Sequence, residues 1–269
     1  MYRIGWFSSG TGAGSRGLFT TVMNNIISGN INASVIFVFC NREPGQSEET
    51  DKFHKLVKSY DIPLIYYSSR RFEPNLRKHN IEQWRDAYDI KVIERLADYS
   101  VDLSVLAGYM LVTGKQMCHK YNQLNLHPAI PGGPIGTWKE VIWQLIEHNA
   151  SEAGAMMHLA TPELDEGPPV TYCKFSIRGQ PFDTFWNEID GKPVAEIISE
   201  DNEENKLFKA IRMYGLMREY PLIVATIKAF SEGNLKIQND KVLDGKGNTR
   251  KGYDLSREID RSLKEQGLI

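Results

Sequence analysis

Cysteine is scarce in this chain of 269 residues: Cys40, Cys118 and Cys173 are an odd number, widely spaced, with no C-x-x-C pair and no Cys/His cluster. Such spacing supplies neither a disulfide framework nor a zinc site, so each is expected to be a small core residue, and no metal is expected. No apolar run reaches the ~18 residues of a membrane span. The opening "MYRIGWFSSG" also lacks the basic end and long apolar centre of a signal peptide. These absences lead us to expect a cytoplasmic protein that engages no membrane. Excess positive charge is missing too: 32 Lys and Arg stand against 34 Asp and Glu, a formal charge of -2. That balance gives no broad positive field for nucleic acid, and small-molecule partners are expected instead. Internal repeats and low-complexity linkers are absent, and no surface stripe is legible that would fix an oligomeric state.

What the chain does have is alternation. Tyr2 to Ser8 is a short apolar strand, followed by a glycine loop and then a helix on which Leu18, Val22 and Ile26 share a face. "ASVIFVFCN" (33–41) reads as a strand buried on both faces, a helix from about Glu48 to Ser59 follows, and "IPLIYY" is a third strand. The pattern continues with a helix over 84–99, a strand in "VDLSVLAGYM", and the short strand "QLNLHP" cut off by Pro128. Thr137 and Glu140 form a capping box ahead of the next helix. Two strands in "GAMMHLATPELDEGPPVTYCKFSI" and a mostly helical region over 199–233 complete the run. We expect an α/β fold with a doubly wound, mostly parallel Rossmann-like sheet over 1–240. Residues 241–269 are expected to be an extension packed on or trailing that domain, and the polar, basic stretch 68–80 is expected to be a loop.

Gly12-Ala13-Gly14-Ser15-Arg16-Gly17 spells G-x-G-x-x-G between the first strand and helix. A dinucleotide site would need an acidic residue at the end of the second strand, and here that strand ends Cys40-Asn41-Arg42. Arg42 suits an NADP phosphate, which keeps an NADP-dependent oxidoreductase as a rival reading. Common to both readings is a glycine turn whose free N–H groups at a helix start attract an anion.

Asn125 and His127 stand two apart on a short strand, so both side chains project to one side just before Pro128. "PELDEGPP" brings Asp165 in a rigid turn. A carboxamide, an imidazole and a carboxylate at the carboxyl edge of an α/β sheet suit acyl or formyl transfer to an amine. The amide stabilises the developing oxyanion, the imidazole serves as proton donor or second oxyanion partner, and the carboxylate holds the tautomer and manages protons through water. The remaining histidines, His158 among them, read as structural or surface residues.

"LAGYM" (106–110), then "LNLHPAIP", then "ELDEGP", with the opening "GAGS" loop, resembles the folate-dependent formyltransferase family in order and spacing. The resemblance extends over most of 1–240. It implies that Asn125, His127 and Asp165 are catalytic, and that Gly14, Ser15 and Arg16 cradle a substrate phosphate. It implies further that Arg85 faces an anionic part of the ligands, and that Met110, Leu111, Val112, Ala160, Thr161, Glu163 and Leu164 line the folate pocket. The donor so implied is 10-formyltetrahydrofolate, and the acceptor is the amine of glycinamide ribonucleotide, a step of purine synthesis. A nucleotide-linked amino sugar is the alternative acceptor. Three positions depart from the family pattern: Leu111 stands where an arginine is common, "HPAIPGGPIGTW" differs from the usual loop, and Gly215, Leu216 and Met217 occupy the place of an acidic substrate contact.

Overall fold

The computed structural model describes residues 1–249 and 251–269. Its chain alternates as β1 (Tyr2–Ser8), α1 (Ala13–Ile27), β2 (Ala33–Cys40), α2 (Glu48–Lys58), β3 (Leu64–Tyr66), α3 (Pro74–His79), α4 (Ile81–Arg95), β4 (Leu103–Leu106), α5 (Lys115–Lys120) and β5 (Gln123–His127). It continues through α6 (Trp138–Glu147), β6 (Glu152–Leu159), β7 (Pro169–Ser176), α7 (Phe182–Glu188), α8 (Val194–Glu200), α9 (Lys206–Ser231), β8 (Leu235–Gln238), β9 (Lys241–Asp244), β10 (Tyr253–Asp254) and α10 (Ser256–Glu265). Among the described residues eight strands form one sheet in the order β10-β7-β6-β5-β4-β1-β2-β3, and β8 and β9 form a separate hairpin. Within the large sheet β6 runs antiparallel to both its neighbours, while the other pairings are parallel.

The unbroken apolar strands follow from helices covering both faces of the sheet. On one face Trp6, Val38 and Val105 pack with Leu18, Phe19 and Val22 of α1 and Leu222, Ile223 and Ile227 of α9. On the other, Phe7, Phe37, Phe39 and Leu106 meet Trp84, Tyr88 and Val92 of α4 and Met117 of α5. Gly17 lets α1 approach α9 closely, because a Cβ there would press on the Tyr220 hydroxyl and displace that ring. Cys40 and Cys173 are buried and Cys118 is half-buried. Among the described residues no helix is long and apolar enough to cross a membrane.

The polar stretch 68–80 is not all loop. Pro74 opens the short helix α3, and Asn80 caps α4 by accepting a hydrogen bond from the Gln83 N–H, so α4 begins three residues earlier than the apolar pattern indicates. None of the α3 residues is buried, so no apolar periodicity marks it. The acidic run 199–205 is divided between the end of α8, a 3-10 turn and Asn205, which caps α9. The segment from β10 through α10 is tied to the sheet edge. β10 pairs in parallel with β7, the Lys174 N–H donates to Ser256 Oγ at 2.9 Å, and Ile259 and Leu263 of α10 join the main core.

Leu263 therefore carries apolar burial that a trailing tail would lack. Leu263→Ala is expected to destabilise the protein by about 2–4 kcal/mol, read as a lower denaturation midpoint. An unchanged midpoint would show that α10 contributes nothing to stability.

Candidate active site

The strand order reverses its direction of growth at β1, with β2 on one side and β4 on the other, so the connections leaving the carboxyl ends of β1 and β4 diverge and leave a crevice. Two hydrogen bonds hold its walls together. The Ser9 N–H donates to the Gly108 carbonyl at 2.9 Å, and the Met110 N–H donates to Ser9 Oγ at 2.8 Å. Gly108 has φ 66°, and a Cβ on it would stand 2.6 Å from Ser15 Oγ, so this approach of the two loops needs glycine.

β5, next to β4, brings Asn125 and His127 to the same crevice. Antiparallel pairing sets His158 of β6 directly opposite Asn125. Asp165, in the turn between β6 and β7, has φ 55° and closes over all three. Its Oδ1 accepts from Asn125 Nδ2 at 3.2 Å and stands 3.5 Å from His158 Nε2. Its Oδ2 accepts from the Gly136 N–H at 3.3 Å and stands 3.3 Å from His127 Nδ1. His158 Nδ1 lies 3.1 Å from the Leu159 carbonyl, so the proton is assigned there, and Nε2 accepts from Asn125 Nδ2 at 3.0 Å. His127 Nε2 lies 2.9 Å from the Pro134 carbonyl. The Asn125 amide thus serves Asp165 and His158, and the imidazole edge of His127 is met by its own following loop.

The electrostatics have two opposed causes. Burial disfavours the charged imidazole of His127 and holds its pKa below the usual histidine value, although Asp165 and the Pro134 carbonyl pull the other way. For Asp165 burial works to raise the pKa, but the two histidines and the Gly136 N–H outweigh it, so its carboxyl stays below the usual range. A buried carboxylate that remains charged is what orients the rings around it.

The other predicted residues fall into two groups. At the glycine turn, Gly12 precedes α1 without a side-chain cap, which leaves the first N–H groups of the helix directed outward. Ser15 is buried, and Arg16 turns away to pair with Glu49 of α2 at 2.5 Å. On the opposite wall, Met110 is 45% exposed, Leu111 packs on the aromatic core under α4, Ala160 packs there too, and Leu164 is 46% exposed. Val112 follows on the same segment, and Thr161 Oγ1 donates to the Glu163 carbonyl at 3.1 Å. Arg85 on α4 stands beside Gly114 and Asp89, whose carboxyl is lifted by burial to about 7. Arg85 is thus placed beside the segment that follows Met110 and outside the Asn125–His127–Asp165 cluster.

Residues 3–181 match the family model described as formyl transferase. The chain belongs to the formyl transferase family. It is 28% identical over 176 residues to the phosphoribosylglycinamide formyltransferase of Escherichia coli (strain K12), covering 63% of this chain and 68% of that relative. The corresponding enzyme of Bacillus subtilis (strain 168) is 25% identical over 171 residues, covering 62% and 76%. Among solved structures, glycinamide ribonucleotide transformylase 1 from Symbiobacterium toebii superposes with a TM-score of 0.64 at 24% identity, over 90% of this chain and 93% of that one. That likeness shows the fold, the mostly parallel α/β sheet expected from the sequence.

His158 escapes a reading of the sequence because its role depends on cross-strand register; the signal available is its place in the apolar strand before Asp165. Arg212 and Glu219 of α9 escape it too, since nothing local ties them to the glycine turn. Arg212 Nη1 bonds Glu219 Oε1 at 2.7 Å, its guanidinium lies 4.6 Å from the centre of the Trp138 ring, and its Nη2 would be 3.5 Å from a Cβ on Gly14.

The depressed pKa of His127 has a thermodynamic consequence. Below the unfolded-state value of ~6.5 the unfolded chain binds a proton that the folded chain resists, so stability present above that pH is lost as pH falls. Burial depresses His54 in the same direction. Asp89, lifted to about 7, works in the opposite sense, because the folded chain takes up its proton before the unfolded chain does. The contribution of His127 is therefore read as a difference. On lowering the pH from 7 to 5, the urea midpoint of wild type should drop relative to that of His127→Gln. Parallel changes in the two proteins would remove His127 as a source of the slope.

Proposed function

We propose that this formyl transferase moves a formyl group from 10-formyltetrahydrofolate to the amine of glycinamide ribonucleotide, with Asn125, His127 and Asp165 as its catalytic residues. The observation that carries the reading is one buried carboxylate that accepts from the Asn125 amide and stands against the His127 and His158 rings at the carboxyl edge of the sheet, beside an uncapped helix start. The backbone N–H groups of the Gly14–Ser15–Arg16 turn hold the acceptor's phosphate. Met110, Leu111 and Val112 form the folate wall with Ala160, Thr161, Glu163 and Leu164, and Arg85 receives an anionic part of the ligands.

The amine nitrogen attacks the formyl carbon, and a carbon–nitrogen bond forms as the bond to the folate nitrogen breaks. The formyl oxygen carries negative charge in between, the amine gives up a proton and the folate nitrogen gains one. Two groups of the chain supply hydrogen bonds to that oxygen: the Asn125 amide and the imidazole N–H of His127. Both are engaged within the protein, Asn125 by Asp165 and His158 and His127 by the Pro134 carbonyl. Substrate therefore exchanges for these partners, and Asp165, still bonded through Gly136, keeps the imidazole oriented while its charge favours the imidazolium form.

Formyl transfer from 10-formyltetrahydrofolate is to be measured with glycinamide ribonucleotide, with a nucleotide-linked amino sugar, and with no amine. The nucleotide should be the preferred acceptor. Preference for the amino sugar overturns the choice of acceptor, and formate release without an amine would identify a hydrolase. His127→Ala is expected to lower turnover at least ~100-fold. Asp165→Asn should lower it at every pH and shift the limb of the pH profile due to the histidine. Near-normal turnover with an unchanged profile in either variant removes that residue from the mechanism.

A further inference from the structure

The basic residue within the glycine turn, Arg16, is committed to Glu49 of α2, which also pairs with Lys52. Charge reaches the turn from a distant part of the chain. Arg212 lies two helical turns before Glu219 on the same face of α9, and Gly215 between them leaves the guanidinium free to lie along the helix. Glu219 is buried, so its carboxylate fixes one edge of the guanidinium, while the Trp138 ring supports its plane. The other edge, Nη2, is the neighbour that a Cβ on Gly14 would meet, 3.5 Å away. Pro128, Trp138, Arg212, Gly215 and Glu219 line one small pocket, which reaches the residue that directly follows His127.

We propose that Arg212, held by Glu219 and Trp138, is the side chain that binds the acceptor's phosphate opposite the α1 N-terminus and so sets the enzyme's preference for a phosphorylated amine. This rests on the acceptor reading given above and adds to it the residue that selects. A guanidinium with one edge fixed and a second edge presented is suited to a tetrahedral oxyanion, because its remaining donors are already oriented. The α1 amides supply further donors from the opposite side. Glu219 is a positioning residue, acting through Arg212.

Binding of inorganic phosphate and of ribose 5-phosphate is to be measured by calorimetry on wild type, Arg212→Met, Arg212→Lys and Lys209→Met. The last removes a charge paired with Glu204 elsewhere on α9. Arg212→Met should weaken both ligands by about 10- to 100-fold, Arg212→Lys by less, and Lys209→Met should match wild type. In turnover, Arg212→Met should raise the KM of the phosphorylated amine with kcat and the folate KM within about threefold, the split expected when binding shared by ground and transition states is lost. Because Arg212→Met strands the Glu219 carboxylate, the Arg212→Met/Glu219→Gln protein is measured beside it. Its phosphate affinity should be equally low while its melting temperature recovers. Wild-type phosphate affinity in either Arg212 variant, no phosphate binding by wild type, or loss of binding in Arg16→Met alone would overturn the assignment. Phosphate binding that depends on Arg212, with no formyl transfer to glycinamide ribonucleotide, would leave Arg212 in place and overturn the acceptor reading instead.

Discussion

The carboxylate of Asp165 is the constraint on which the candidate site depends. It sits at φ 55° in a turn that begins after Pro162 and closes at Gly167, where a Cβ would run into the Leu159 carbonyl. With the turn fixed in this way, one oxygen gathers Asn125 and His158 and the other gathers His127 and the Gly136 N–H. A neutral carboxyl would offer weaker acceptors to the Asn125 amide and the Gly136 N–H. The balance of burial against two imidazoles and a backbone N–H, resolved in favour of the charged form, is therefore a condition for the whole cluster.

The sheet prepares that cluster by reversing a single strand. Parallel strands β1, β4 and β5 deliver their carboxyl ends to one edge, carrying the glycine turn, the 107–112 segment and His127. The antiparallel β6 starts beyond that edge and runs back to it. It therefore sets His158 opposite Asn125, level with Leu106 at the carboxyl end of β4, and leaves directly into the Asp165 turn. A parallel β6 would first need a crossover to the opposite edge of the sheet, whereas α6 and the short connection over 148–151 suffice to begin β6 beyond His127.

Much of this is legible in the sequence because the signals are local. Buried strands such as 33–40 are continuous apolar runs, the Thr137–Glu140 capping box is a four-residue pattern, and Asn125 and His127 share a side by strand period alone. What escapes depends on partners far apart in sequence. The short helix α3 buries nothing and so leaves no periodic trace. The place of His158 depends on register with a residue 33 positions earlier. Position within the motif makes Arg16 the natural cation of the glycine turn, but tertiary packing brings Glu49 to it and Arg212 to the turn.

The internal satisfaction of the cluster bears on how a substrate can enter it. Every outward donor of Asn125 and His127 already has a protein acceptor, so a formyl oxygen gains only the difference between its own hydrogen bonds and those it displaces. That difference is small for a neutral carbonyl and grows as charge develops on the oxygen, because hydrogen bonds to an anion are roughly twice as strong as those between neutral groups. The exchange at His127 requires the Pro134 carbonyl to move, and Gly132 and Gly136, with φ of 75° and 121°, flank it as the residues best able to absorb the change. Ground-state substrate thus finds competing partners at the site, whereas the charged intermediate outcompetes them, which is the differential binding that lowers a barrier.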